Sequence, residues 1–162
     1  MTEAGFRRIM QGQNDVTQLA KALARIANTN TASWMEQLID IAHDADGIVY
    51  SGLASYVGLS AGEHLGRPAI GVGLWPLSPT ADFPSVLLPS SKLPRFLNRA
   101  THTAVNALLW WSFRRAVNAA RKKLGQAPRR KMWRGYPIVY GISPRIVPRP
   151  PDWTDEIEIS GA

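Results

Sequence analysis

Gly47-Ile48-Val49-Tyr50-Ser51 and, one helix further on, Ala69-Ile70-Gly71-Val72-Gly73-Leu74 are the two stretches whose reading decides the fold. Each is a short apolar run with β-branched residues, bounded by glycine or proline, which suits a strand buried on both faces of a sheet. Between them, residues 54–65 carry a helical pattern closed by Gly66, and Pro76 stops the second run. Strand, helix, strand with short connections is the grammar of a right-handed βαβ unit in a parallel sheet. Ligands of open parallel sheets sit beyond the carboxyl ends of the strands, so the connections to watch are Ser51-Gly52 and residues 75–88. The second connection and its end carry Pro76, Pro79, Pro84 and Pro89 among apolar side chains. That is too proline-rich for a helix and too apolar for a plain solvated linker, so it predicts a shaped wall.

Working outward, Val16, Leu19, Ala20, Leu23, Ile26 and Ala27 recur at helical spacing, with Asn14 or Asp15 as the cap. The polar stretch 28–33 is expected to interrupt this helix. A second amphipathic segment on Trp34, Leu38, Ile41 and Ala42 then ends at His43-Asp44-Ala45-Asp46-Gly47. Downstream, residues 93–124 form one long helical pattern through Leu97, Val105, Leu108, Leu109, Phe113, Ala116, Val117 and Ala120, followed by Gly125. Trp110 and Trp111, adjacent within it, cannot both face one core. Ile138-Val139-Tyr140-Gly141 predicts a third strand, residues 143–151 are proline-rich and extended, and Ile157-Glu158-Ile159 alternates like a short strand. The expected organisation is a helical segment over 1–45 and an α/β unit over 46–162, with no internal repeat.

The 162 residues fit one domain or one lobe of something larger, and 45% hydrophobic with 19% charged residues excludes collagen, long disordered tails and simple coiled coils. With no cysteine, a disulfide framework, thiolate metal sites and a cysteine nucleophile are excluded, and a reducing compartment fits. No apolar run reaches the roughly 18 residues that cross a bilayer, and MTEAGFRRIM is not a signal peptide, so the expected location is cytoplasmic, with peripheral membrane contact left open. The net charge of +7 is unevenly spread: from Phe83 to Pro151 there are fourteen Lys and Arg and no Asp or Glu. Such a block suits nucleic acid, an anionic membrane, an acidic partner or the acidic remainder of the same protein, and charge alone does not choose.

Gly58-Leu59-Ser60-Ala61-Gly62 spells the nucleophile elbow of α/β-hydrolases, but the elbow needs its serine on the turn directly after a strand, and Ser60 falls within the expected helix. His64 shares a helix face with Ser60 and reads as a capping or core-edge histidine. His43, His64 and His102 show no metal-binding spacing, and no metal site is expected. Gly71-Val72-Gly73 lacks the third glycine and the following helix of a dinucleotide fingerprint. Asp44 and Asp46 read as helix-end solvation. Arg121-Lys122-Lys123 and Arg129-Arg130-Lys131 near Trp133 could grip phosphates, but no nucleic-acid reading module accompanies them, and nucleic acid is not the expected partner.

Taken in order, the Asp-Ala-Asp-Gly-Ile-Val-Tyr-Ser strand and the Ala-Gly-Glu-His-Leu-Gly-Arg-Pro-Ala step to the next strand come first. Trp75-Pro76-Leu77-Ser78-Pro79-Thr80 with Phe83-Pro84, the long Asn/Trp/Arg helix ending Lys-Lys-Leu-Gly, and Tyr140-Gly141-Ile142-Ser143-Pro144 through Pro150-Pro151-Asp152-Trp153 follow. Over residues 40–162 this series resembles the latter part of the amino-terminal domain of sterol glucosyltransferase-like and antibiotic glycosyltransferases of the GT-B type. The resemblance implies an acceptor-binding, partial Rossmann-like parallel sheet with flanking helices. It also implies a facing donor domain for a nucleotide sugar (a UDP- or dTDP-hexose), and inverting transfer without a metal. It implies a lipophilic acceptor, a sterol, polyketide or glycolipid. Apolar walls with a few polar groups suit such a ligand, so the expected contacts are Ser51 at the carboxyl end of the first strand and Leu74, Trp75, Thr80 and Phe83 in the shaped connection.

The family's opening strand with its glycine-rich loop, which carries the proposed base, has no counterpart in these residues, nor has its carboxy-terminal donor domain. The expectation is therefore an acceptor-side portion with no catalytic residue or cofactor of its own, completed by an amino-terminal segment and a donor domain and inactive alone. The rival expectation, from a different class, is a non-catalytic membrane-surface or lipid-binding module whose basic helix over 93–131 lies on anionic headgroups.

Overall fold

The computed structural model describes residues 16–88 and 94–161. Helix α1 (Val16–Ile41) leads into strand β1 (Ile48–Ser51), a single turn Gly52–Ala54 and helix α2 (Ser55–Leu65). Strand β2 (Ala69–Gly73) follows, then a short turn Arg95–Leu97, helix α3 (Asn98–Lys123), and strands β3 (Ile138–Tyr140) and β4 (Ile157–Ile159). The fold is α/β, with four parallel strands in the order β1-β2-β3-β4. Because every crossover advances the sheet in the same direction, right-handed connections place α2 and α3 on one face.

Alternation along the strands shows that face directly. Ile48 and Tyr50 on β1 are buried and stand in register with Ala69 and Gly71 of β2, while Gly73 faces Tyr140 of β3. A Cβ on Gly73 would meet the Tyr140 ring at 2.7 Å, and one on Gly58 of α2 would meet the Tyr50 ring at 2.7 Å. The Gly71-Val72-Gly73 run therefore makes room for aromatic rings beneath the sheet. Tyr50, Tyr56, Leu59, Trp110, Phe113, Val117 and Trp133 form the main core between this face and α1, α2 and α3. Trp110 sits inside it against Trp133 at 5.8 Å, and Trp111 points outward, as adjacent helical positions require.

Two expectations are corrected. The polar stretch 28–33 does not break the first helix, since α1 runs unbroken from Val16 to Ile41. Its polar side chains are satisfied within the helix or against a neighbour: Thr29, Asn30 and Thr31 donate to carbonyls four residues earlier, and Asn28 donates to the Ser112 carbonyl of α3 at 3.1 Å. The strands are also not buried on both faces. Val49 is 71% exposed, and Ile70 and Val72 are partly exposed on the same side, which no described element covers. The first helix-capping candidates, Asn14 and Asp15, and residues Pro89 and Leu93 lie outside the described residues.

Candidate functional site

The carboxyl ends of β1 and β2 lie level, with Ser51 in register with Val72, and the chain leaves β2 into the connection 74–88. Proline rings and a few polar anchors fix this connection as a rim. From below, Tyr140 at the end of β3 extends its phenol oxygen to accept the N–H groups of Leu77 (3.1 Å) and Ser78 (2.9 Å) and pairs with the Ser78 hydroxyl at 2.8 Å. Burial outweighs these hydrogen bonds and pushes the Tyr140 phenol up, so it stays protonated. Its ring packs on Trp153 at 5.3 Å.

From the side, Asp152 accepts the Thr80 hydroxyl at 2.7 Å and the Ala81 N–H at 2.9 Å, with Arg99 at 3.4 Å. Partial burial alone would raise this carboxyl, but the two hydrogen bonds and the Arg99 charge prevail and hold it below the usual carboxylate range. The first turns of α3 complete the frame. Asn98 donates to the Ala81 carbonyl, the Thr101 hydroxyl accepts the Ser85 N–H, and His102 Nε2 donates to the Phe83 carbonyl at 3.0 Å. The carbonyl can only accept, which fixes the proton on Nε2.

The rim thus has a committed inner side and an open outer side. Leu74 and Trp75 are 70% and 68% exposed, apolar, and adjacent to the end of β2. Ser51 is exposed at the end of β1. Phe83 is half-buried, its ring edge-on to His102 at 5.9 Å. Thr80 is fully buried and its hydroxyl is engaged by Asp152, which also leaves it accepting the Asp82 N–H. Of the five residues read from the sequence, Leu74, Trp75 and Phe83 therefore reach the surface of the rim, Ser51 is exposed at the end of the neighbouring strand, and Thr80 lies inside the rim. The anchors Tyr140, Asp152, Asn98, Thr101 and His102 escaped sequence reasoning. Tyr140 had a signal, since it ends a strand at the carboxyl end of the sheet, where ligand sites form; the others become visible only once α3 and the segment 143–154 fold back onto the connection.

Below the helices a second polar cluster forms. Glu63 of α2 receives Arg121 at 2.7 Å, Arg129 at 2.6 Å and the Trp133 indole N–H at 2.7 Å, while Arg129 stacks on the Trp133 ring at 4.3 Å. Arg121 is buried and also reaches Ser60 and the Ala127 carbonyl. Ser60 lies buried within α2, so the strand-to-turn context of a hydrolase elbow is not present around it. Among the described residues no three His, Asp or Glu side chains gather as a metal site, and no helix is long and apolar enough to cross a membrane.

No family model matches the chain. Curated relatives do. A "Sterol 3-beta-glucosyltransferase" of Debaryomyces hansenii is 27% identical over 143 residues, 83% of this chain and 9% of that protein. The chain is similar to sterol 3-beta-glucosyltransferases over most of its length. A "UDP-sugar-dependent glycosyltransferase 52" of Dictyostelium discoideum is 29% identical over 119 residues, 64% of this chain and 7% of that protein. An "O-mycaminosyltylonolide 6-deoxyallosyltransferase" of Streptomyces fradiae is 28% identical over 121 residues, 67% of this chain and 29% of that protein. The chain therefore spans under a tenth of the Debaryomyces and Dictyostelium relatives and under a third of the bacterial one. The similarity and the parallel sheet with its helices agree with part of a GT-B, Rossmann-like glycosyltransferase domain.

Proposed function

We propose that residues 46–162 form the acceptor-side portion of an inverting glycosyltransferase that moves a hexose from a nucleotide sugar to a hydroxyl of a lipophilic molecule. A sterol is the first choice because several relatives carry sterol glucosyltransferase names. A UDP-hexose is the first donor to try, from the name of the Dictyostelium relative. The observation that carries the reading is the rim: outward-facing Leu74 and Trp75 at the carboxyl end of a parallel strand, in a connection that Tyr140 anchors at Leu77 and Ser78 and Asp152 at Thr80 and Ala81. An apolar wall with a few polar groups suits a lipophilic guest, and this is the end of the sheet where such guests bind. In this reading Leu74, Trp75 and Phe83 wall the acceptor, the Ser51 hydroxyl orients it, and Thr80 holds the wall in place through Asp152.

Transfer requires a base for the acceptor proton and dipoles for the departing diphosphate. Asp152 and Glu63 are committed to hydrogen bonds and arginines, so neither is free to serve as that base. The base and the donor groups are assigned to regions of the relatives that this chain does not span, and the chain alone is expected to be inactive.

A fluorescent sterol titrated into the chain tests the wall. Binding should weaken about tenfold or more in Trp75→Ala and in Phe83→Ala, as for loss of a packed aromatic contact. Unchanged affinity in both variants would remove the acceptor assignment, and the same pair placed in an intact relative should raise the acceptor KM. Glucose transfer from UDP-glucose by the unaided chain would overturn the division of labour.

A further inference from the structure

The outer face of α3 takes no part in the rim or the core, and its residue pattern is not that of a solvated helix surface. Ala100, Ala104, Leu108, Trp111, Arg115 and Lys122 follow one another at spacings of three, four or seven, which puts them on one stripe. Leu108 is 63% and Trp111 66% exposed, and Phe96, in the turn that leads into the helix, is 81% exposed. The amino-terminal part of this stripe is apolar and the carboxy-terminal part is cationic. There Arg114, Arg115, Asn118, Pro128, Arg129 and Arg130 line an open cleft of about 580 Å³. Glu63 engages Arg129, but among the described residues Arg114, Arg115 and Arg130 have no carboxylate partner. Exposed Lys122, Lys123 and Lys131 extend the patch, and no acidic residue occurs between Phe83 and Pro151 to offset it.

We propose that this face docks peripherally on an anionic membrane, with Leu108, Trp111 and Phe96 entering the interface and Arg114, Arg115 and Arg130 meeting lipid phosphates. Large apolar side chains standing in water beside arginines that have no carboxylate partner among the described residues are complementary to a surface that is apolar inside and negative outside. Indole is favoured at that boundary, and cations near it add attraction that falls off within a Debye length. Nucleic acid would use the arginines but gives the apolar stripe no burial, and a plain solvated face would not carry Trp111, Leu108 and Phe96 together. The proposal stands apart from the sugar-transfer reading, since vesicle binding and transfer are measured separately.

Co-sedimentation of the chain with phosphatidylcholine vesicles containing phosphatidylserine, against pure phosphatidylcholine, tests it. Binding is expected to need the anionic lipid and to fall with salt. Each cation removed should weaken it by about fivefold, so an Arg114→Gln, Arg115→Gln, Arg130→Gln triple variant should lose about a hundredfold. The matching triple Arg→Lys variant should retain it, because charge rather than guanidinium shape is what counts. Brominated lipids should quench tryptophan emission in the native chain and much less in Trp111→Phe, a conservative change at an exposed site that leaves the fold intact. Equal binding to neutral vesicles, no binding to anionic ones, or indifference to the Gln triple variant would each overturn the proposal. So would salt-sensitive retention of single-stranded DNA without vesicle binding, or a dimer that Trp111→Phe dissolves, which would assign the face to a second copy.

Discussion

The covered face of the sheet and its carboxyl rim are built on different physics. Beneath it, Tyr50, Tyr56, Trp110, Phe113, Val117 and Trp133 interlock with three helices in an aromatic core, and glycines on β2 and α2 let the rings approach the backbone. At its carboxyl rim, the connection 74–88 has little apolar burial of its own and is held instead by Tyr140, Asp152, Asn98, Thr101 and His102. A core held by area is insensitive to pH and tolerant of loss at its surface. A rim held by individual hydrogen bonds keeps its outer side chains free, which a binding surface needs, and can come loose without the rest of the chain unfolding.

The largest effect should come from the core: Phe113→Ala is expected to cost about 3–5 kcal/mol in denaturant unfolding, as for other buried phenylalanines. A cost under about 1 kcal/mol would mean that the helices are not packed on the sheet as described. Next is Glu63→Gln, which leaves buried Arg121 without its countercharge. With Glu63 partly solvated, about 1–3 kcal/mol of destabilisation is expected, and a Glu63→Gln/Arg121→Met double variant should recover much of it.

The rim should respond locally. Asp152→Ala is expected to cost about 1–2 kcal/mol or less globally while amide exchange at Ala81 and Asp82 speeds up severalfold, with the core amides unchanged. Acid should mimic that variant. A carboxylate whose folded pKa is depressed stabilises above its unfolded value, about 3.9, and loses that contribution as pH falls through the folded value. Rim amides should therefore loosen only below about pH 4, ahead of the core; loosening nearer neutrality would point to a different group. The smallest effect on stability belongs to Trp75→Ala, within about 0.5 kcal/mol, because its side chain stands mostly in water. A larger cost would show that Trp75 is a packing residue and not a wall.

Part of this architecture was legible without coordinates because its signals are local. The glycine-bounded runs at 47–51 and 69–74, the Gly66 stop and the long pattern before Gly125 each depend on a few neighbouring residues, and all appear as elements. Gly66, with φ of +62°, supplies the left-handed turn that ends α2. The polar stretch 28–33 misled because its threonines and asparagine look like helix breakers until their hydrogen bonds within the helix are seen. The β-branched runs suggested strands covered on both faces, but composition records the preference for burial and not what stands opposite.

Sequence alone thus determined the element order from the first strand on, the parallel sheet and the apolar, proline-stiffened connection at its end, since periodicity and turn chemistry are written in adjacent residues. Only the folded chain decided which side chains are open and which are spent. Thr80 and Asp152 are 72 positions apart, as are Glu63 and Arg121 by 58, and nothing in either's neighbourhood announces the other. Contacts of that range depend on where helices and loops come to rest, and so on the packing of the whole.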